Sequence, residues 1–138
     1  MNDGYSEVLR AISSEEPTPG GGSVAALVLA HSHSLAMMVS KLTIRSDRWS
    51  DGHNSAKGVI ENSEIGLSKA IGLANEDATA FNSVMDAYKL PKSTENEQKI
   101  RKEAIRDSTL LAAEVPLETA EEAIVLLQSI ATTVKHKA

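Results

Sequence analysis

From Leu67 the apolar positions run Leu67, Ile71, Ala74, Ala78, Phe81, Met85 and Tyr88, a 4-3-4-3-4-3 series. Side chains three and four apart stack on one side of a helix, whereas a strand alternates every two residues. The series therefore marks one face of a packed helix. A second series, Leu117, Ala120, Ile124, Leu127, Ala131 and Val134, repeats the 3-4 spacing towards the end of the chain. No segment alternates as a strand would, and aromatic residues are only 3% of the chain, against the aromatic and β-branched demand of sandwiches and barrels. These features predict an all-α, antiparallel helical bundle with one long helix. The 138 residues, 41% of them apolar and 24% charged, are read as a single domain over 1–138 with one aliphatic, alanine-rich core.

Punctuation along the chain divides the helices. Tyr5 to Ser13 reads as a short amphipathic helix carrying Val8, Leu9 and Ile12. Ser14 to Gly22 breaks it, with two prolines that fix φ and three glycines that permit conformations closed to other residues. Ser23 is expected as the N-cap of an apolar helix from Val24 to Thr43. Ser46 to Asn54 reads as a polar connection before the long helix, in which Gly58, Gly66 and Gly72 would mark close helix contacts. Leu90-Pro91 ends that helix, because the residue before proline avoids the helical region. Thr94 and Glu97 then form a capping-box pattern for a helix running to about Glu114, and Pro116 either kinks it or opens a new one.

Fourteen basic residues against nineteen acidic ones give a formal net charge of −5, the wrong sign for a phosphate-backbone binder, so nucleic acid is excluded as a partner. Cysteine is absent, which removes disulfides, thiolate metal sites and a cysteine nucleophile. Val24 to Leu42 is long and apolar, yet His31, Ser32, His33, Ser34, Ser40 and Lys41 make it read as a buried helix with no membrane partner. The Met37-Met38 pair reads as core filling. The N-terminus lacks the basic and apolar regions of a signal peptide, so the expected location is cytoplasmic.

The most informative segment is Pro17-Thr18-Pro19-Gly20-Gly21-Gly22-Ser23-Val24-Ala25-Ala26. Gly20, Gly22 and Ala25 satisfy G-x-G-x-x-A, but a dinucleotide loop needs a strand in front of it and finds Pro-Thr-Pro. Two uses remain open: a tight turn, or a helix N-terminus whose unpaired amides receive an anion or a polarised carbonyl. His31 and His33, two apart, point different ways on a helix and cannot form an i, i+4 metal pair. No metal and no other cofactor is implied.

The run P-T-P-G-G-G-S-V-A-A, followed by Met38-Val39-Ser40-Lys41-Leu42-Thr43, resembles the cyclodeaminase-type domain of the formiminotransferase-cyclodeaminase family. Asp77-Ala78-Thr79-Ala80-Phe81, Ala87-Tyr88-Lys89-Leu90-Pro91-Lys92 with Glu97 and Arg101, and Ala112-Ala113-Glu114-Val115-Pro116-Leu117 are similar to later segments of the same domain, in the same order. Such domains continue into a Gly-Asn turn and further helices, so the resemblance implies a chain short at its C-terminal end. It also implies a homodimer, with a second copy covering exposed core. The implied activity is on folate: 5-formimino-tetrahydrofolate closes to 5,10-methenyl-tetrahydrofolate with loss of ammonia. Methenyltetrahydrofolate cyclohydrolase is the alternative, and a catalytically inactive helical dimerisation module is a third reading.

The resemblance casts Asp77 as the catalytic acid–base residue. Spacing alone leaves it between a solvated charge beside Glu76 and a proton relay at the edge of the apolar face. Gly20, Gly21, Gly22 and Ser23 would bind substrate at the helix N-terminus, the glycines beside a cleft that Asp77 also lines, either in one chain or across the dimer. Lys41, Lys92 and Arg101 would meet the folate's glutamate carboxylates, Lys92 with the best claim because it lies in the Leu-Pro-Lys motif.

Overall fold

The computed structural model describes residues 3–135, with side chains to Thr133. Its elements are α1 Asp3–Ile12, α2 Gly21–Ile44, a 3-10 turn Asp47–Gly52, α3 His53–Lys89 and α4 Glu95–Lys135. No strand occurs among the described residues, so the all-α class is as expected. Helix α2 lies antiparallel to α3, since Ser23 meets Asp77 at one end and His33 meets Gly66 further along. Helix α4 returns antiparallel along α3, with Arg101 at Tyr88 and Glu118 and Glu122 at Lys69.

Several boundaries follow from local chemistry. Leu90 takes φ −58° and ψ 148°, as a residue before proline should, and α3 stops there. The capping box opens α4: the Thr94 amide donates to Glu97 Oε2 at 2.9 Å, and the Glu97 amide donates to Thr94 Oγ1 at 3.2 Å. The Thr94 amide bond leads the forces that hold the Glu97 carboxyl below its usual range. Three expectations need correction. The polar connection before α3 contains a 3-10 turn. Pro116 does not open a new helix and α4 does not stop near Glu114, because it runs through the proline for 41 residues; proline forfeits one i→i−4 bond, while Val115 and Leu126 on either side stay buried. Helix α2 begins at Gly21, two residues before the serine expected to cap it.

The core is a seam between α2 and α3. On α3 the seam positions are Ala56, Val59, Ser63, Gly66, Ala70, Leu73, Asp77 and Ala80, themselves spaced 3-4-3-4-3-4-3, and all but the half-buried Asp77 are buried. Ala26, Ala30, His33, Ala36 and Ser40 of α2 are buried with them. Small residues let two helix backbones approach closely. Around the seam, Leu29, Val59, Ala70 and Leu126 form one apolar cluster, and Ala26, Leu73, Ala74 and Val115 form another.

The stripes read from the sequence are largely not the buried faces. Ile71, Phe81, Met85 and Tyr88 of α3 are exposed, as are Leu117, Ile124 and Leu127 of α4. Val134, the last position of the second stripe, lies outside the described side chains. Helix α2 has the length and composition of a membrane span and was expected to be a buried helix. Only its seam face is buried; Val28, Leu35, Met38, Val39 and Leu42 are exposed, so Met38 does not fill the core. Of the three glycines of α3, only Gly66 marks a close contact: a Cβ there would overlap the His33 imidazole, while one on Gly58 would meet nothing within 4 Å and one on Gly72 only Glu76 Oε1 at 3.9 Å.

His33 is 4% exposed, and neither ring nitrogen has a hydrogen-bond partner. Burial holds its pKa below the ordinary 6.5, the charge of Glu122 working against that shift. The folded state thus favours the neutral ring, and protonation favours unfolding. The contribution is complete above pH 6.5, the unfolded value, and is lost as pH falls from there through the lowered folded value. Urea unfolding between about pH 7.5 and about pH 5 should show a steeper loss of stability for the wild type than for His33→Phe, which keeps a ring on Gly66 without titrating. Parallel losses in the two proteins would refute this.

Candidate functional site

Pro17 and Pro19 keep the segment before α2 out of helix, and the Thr18–Pro19 peptide is cis. Gly20, in extended conformation at φ −96° and ψ −162°, takes the N-cap position without a side-chain bond. Its carbonyl accepts the first helical bond from the Val24 amide at 3.0 Å. Gly21, Gly22 and Ser23 form the first turn, with free amides and the positive end of the helix dipole. No glycine among the described residues has a positive φ. The expectation that this run exploits glycine's conformational freedom is therefore corrected, and close approach is the reason for Gly22.

That approach is to Asp77. A Cβ on Gly22 would overlap Asp77 Oδ1 and lie 2.6 Å from its Cγ. Beside it, Ser23 Oγ donates to Asp77 Oδ2 at 2.8 Å. Ser23 is 1% exposed, and its hydroxyl crosses to α3 instead of capping α2. Asp77 itself is half-buried, and its neighbour Glu76 is exposed. The carboxylate thus sits on the first turn of α2, seated on a glycine and bonded by a neighbouring hydroxyl. A carboxylate so held can take up a proton and return it.

The remaining expected site residues are elsewhere. Lys41 is exposed in the last turn of α2, roughly 27 Å along the axis from Ser23 at helical rise. Lys92 follows the end of α3, which lies roughly 18 Å beyond Asp77. There Lys92, Gln98, Arg101 and Lys102 line a cleft of about 380 Å³. Gln98 Nε2 donates to the Lys92 carbonyl at 3.1 Å. Arg101 Nη2 donates to the Tyr88 carbonyl at 3.2 Å, with its guanidinium 5.4 Å from the Tyr88 ring. Within one chain the expected set therefore divides: Gly22, Ser23 and Asp77 converge, with Gly20 and Gly21 adjoining, while Lys41 and the Lys92–Arg101 pair stand at opposite ends. An apolar cavity of about 400 Å³ in the single chain, between α1, α2 and α3, is separate from this meeting point: Tyr5, Leu9, Val24, Leu27, His31 and Ile71 line it, and Asp77 does not. His31 meets the Leu27 carbonyl at 2.6 Å and the edge of Tyr5, whereas His33 is packed in the seam, so the two histidines are separate, as their spacing required. No group of three His, Asp or Glu is placed to hold a metal among the described residues.

Comparison with known proteins gives a consistent result. A family model described as formiminotransferase-cyclodeaminase matches residues 4–138. A methenyltetrahydrofolate cyclohydrolase from Methylorubrum extorquens is 38% identical over 117 residues, covering 84% of this chain and 56% of that protein. The Mus musculus formimidoyltransferase-cyclodeaminase is 33% identical over 113 residues, or 82% of this chain and 21% of that one. The crystal structure of formiminotetrahydrofolate cyclodeaminase from Thermotoga maritima superposes with a TM-score of 0.80 at 28% identity, covering 95% of this chain and 61% of that one. The chain thus spans a little over half of the cyclohydrolase and about a fifth of the mouse protein.

Gly22 and Gly21 separate the two uses of glycine in this turn. A Cβ on Gly21 meets nothing within 4 Å, so Gly21→Ala should stabilise the protein by up to ~1 kcal/mol through reduced freedom of the unfolded chain. Gly22→Ala should destabilise it by about 1–2 kcal/mol, overpacking outweighing the gain in helix propensity. Urea unfolding of both variants checks this, and equal effects would mean that the Asp77 carboxylate simply swings away.

Proposed function

The chain belongs to the formiminotransferase-cyclodeaminase family, and from that premise we propose that it is a folate one-carbon enzyme in which Asp77 relays the proton. The observation that carries the proposal is the carboxylate of Asp77 seated on Gly22 and bonded by Ser23. In the leading reaction, N10 of 5-formimino-tetrahydrofolate attacks the formimino carbon and forms the second C–N bond of the bridge. Asp77 takes the N10 proton and delivers it to the exocyclic nitrogen. That nitrogen, protonated once more by water, leaves as ammonia with the electron pair of its C–N bond, giving the 5,10-methenyl cation. The amides of Gly21 and Gly22 favour the electron-rich group that forms during attack.

A second reading is favoured by the 38% identity to a protein named methenyltetrahydrofolate cyclohydrolase. Here Asp77 takes a proton from a water that adds to the methenyl carbon, and opening of the bridge follows. Both reactions put the same proton acceptor beside the same carbon. Lys92 and Arg101, with Lys41, are proposed to meet the glutamate carboxylates of folate; their distance from Asp77 in one chain means that they act on the far end of an extended substrate or in a neighbouring copy.

A homodimer is part of the proposal. Val28, Leu35 and Leu42 of α2 and Leu117, Ile124 and Leu127 of α4 are each more than half exposed, and Val28 and Leu127 line one apolar groove. Exposed apolar area of this extent is unusual for a lone soluble domain. Sedimentation at micromolar concentration should find a dimer that Leu127→Glu weakens, and a monodisperse wild-type monomer would overturn this part.

The activity is tested by following methenyl-tetrahydrofolate absorbance with the purified chain, supplying the formimino compound in one assay and the methenyl compound in the other. Turnover of one substrate is expected, and Asp77→Asn should lower kcat by roughly 10²–10⁴-fold. The substitution keeps an acceptor for Ser23, so the unfolding midpoint should move little. No turnover of either substrate, or an Asn variant at the wild-type rate, would overturn the reading.

A further inference from the structure

We propose that Ser23 is a positioning residue for Asp77, fixing which carboxylate oxygen exchanges the proton. The inference rests on the reading above, that Asp77 is the relay. Serines and threonines within these helices ordinarily turn their hydroxyls back to the carbonyl four residues earlier: Ser32 bonds Val28, Ser34 bonds Ala30 and Thr43 bonds Val39. Ser23 stands in the first turn, where the residue four earlier is Pro19, outside α2. Its hydroxyl is free of that local bond and reaches across to Asp77 Oδ2 at 2.8 Å.

Ser23 is almost fully buried, so this bond is shielded from competing water. Gly22 supplies the other half of the clamp, because its missing Cβ is the space that Asp77 Oδ1 occupies. With Oδ2 engaged by the hydroxyl and the carboxylate backed by the glycine, rotation about the Asp77 side chain is restricted at both oxygens. Oδ1 is then the oxygen that takes the N10 proton and returns it to the departing nitrogen. Such a clamp raises the rate by holding the acceptor in a reactive geometry, and it makes no contact of its own with the reacting atoms.

The test is a double-mutant cycle on the full chain, with kcat and KM measured for the substrate that the wild type turns over, for Ser23→Ala, Asp77→Asn and the double variant. Ser23→Ala should lower kcat on the order of tenfold and leave KM unchanged. In the Asp77→Asn background it should cause no further loss, because the hydroxyl acts only through the carboxylate. A purely structural serine would slow both backgrounds by the same factor, and that result, or wild-type kcat in Ser23→Ala, would overturn the inference while leaving the relay in place. Full activity of Asp77→Asn, or no turnover by the wild type, would instead overturn the relay itself and this inference with it.

Discussion

The fold depends on how closely α2 and α3 approach. Along their seam the buried side chains are mostly alanine, serine and glycine, with Leu73 the largest that is fully buried. An alanine loses no side-chain entropy on burial, but it also removes little apolar area from water. The seam therefore gains through the number of atoms brought to contact distance, a gain that falls steeply if the helices separate. Gly66 and Gly22 are the points of closest demand, each receiving a polar side chain from the opposite helix. Helix α4 is added to this pair through Val115 and Leu126, and Lys69 spans to Glu118 and Glu122 at 2.7 and 2.8 Å. Those ion pairs are partly exposed and contribute more to register than to stability.

This arrangement explains what could and could not be read from the chain. Signals confined to one turn were legible: the Leu90-Pro91 stop and the Thr94–Glu97 capping box depend on neighbours only, and both stand as expected. The buried face of α3 was not, because the helix carries two series at helical spacing. One is built of large residues, Leu67 through Tyr88, and the other of small ones, Ala56 through Ala80. Hydrophobic size singled out the first, whereas close approach buries the second. Glycine, serine and alanine recurring at 3-4 spacing were the available signal. Helix α4 repeats the case, burying Val115, Thr119 and Leu126 while Leu117, Ile124 and Leu127 stay exposed.

Legibility of the candidate site follows the same division. Asp77 was reached through the family resemblance, since its local spacing alone favoured a solvated charge. Its bond to Ser23 spans 54 residues of sequence, and only the antiparallel pairing of α2 with α3 produces it. The cationic residues show the opposite limit. Lys41, Lys92 and Arg101 belong to motifs that adjoin the others in sequence order, but long straight helices carry them to the ends of the bundle. In a protein of rods, position along the axis decides what can share a site, and residue type says nothing about that position.

The seam also accounts for where a carboxylate can stand. Asp77 is the one charged side chain among the seam positions named on α3, and it lies where α2 begins. There its carboxylate accepts the Ser23 hydroxyl and fills the space left by the missing Cβ of Gly22. Further along the seam, His33 of α2 and Ser63 of α3 sit buried without hydrogen-bond partners, and His33 is held towards its neutral form. A side chain at Gly66 would overlap the His33 imidazole, so no carboxylate fits there. The periodicity of α3 places many residues on the seam, but only the N-terminal end of α2 sets a glycine and a serine hydroxyl against an acid that stays half-buried. The glycine run and the acid, distant in sequence, are thus two parts of one contact.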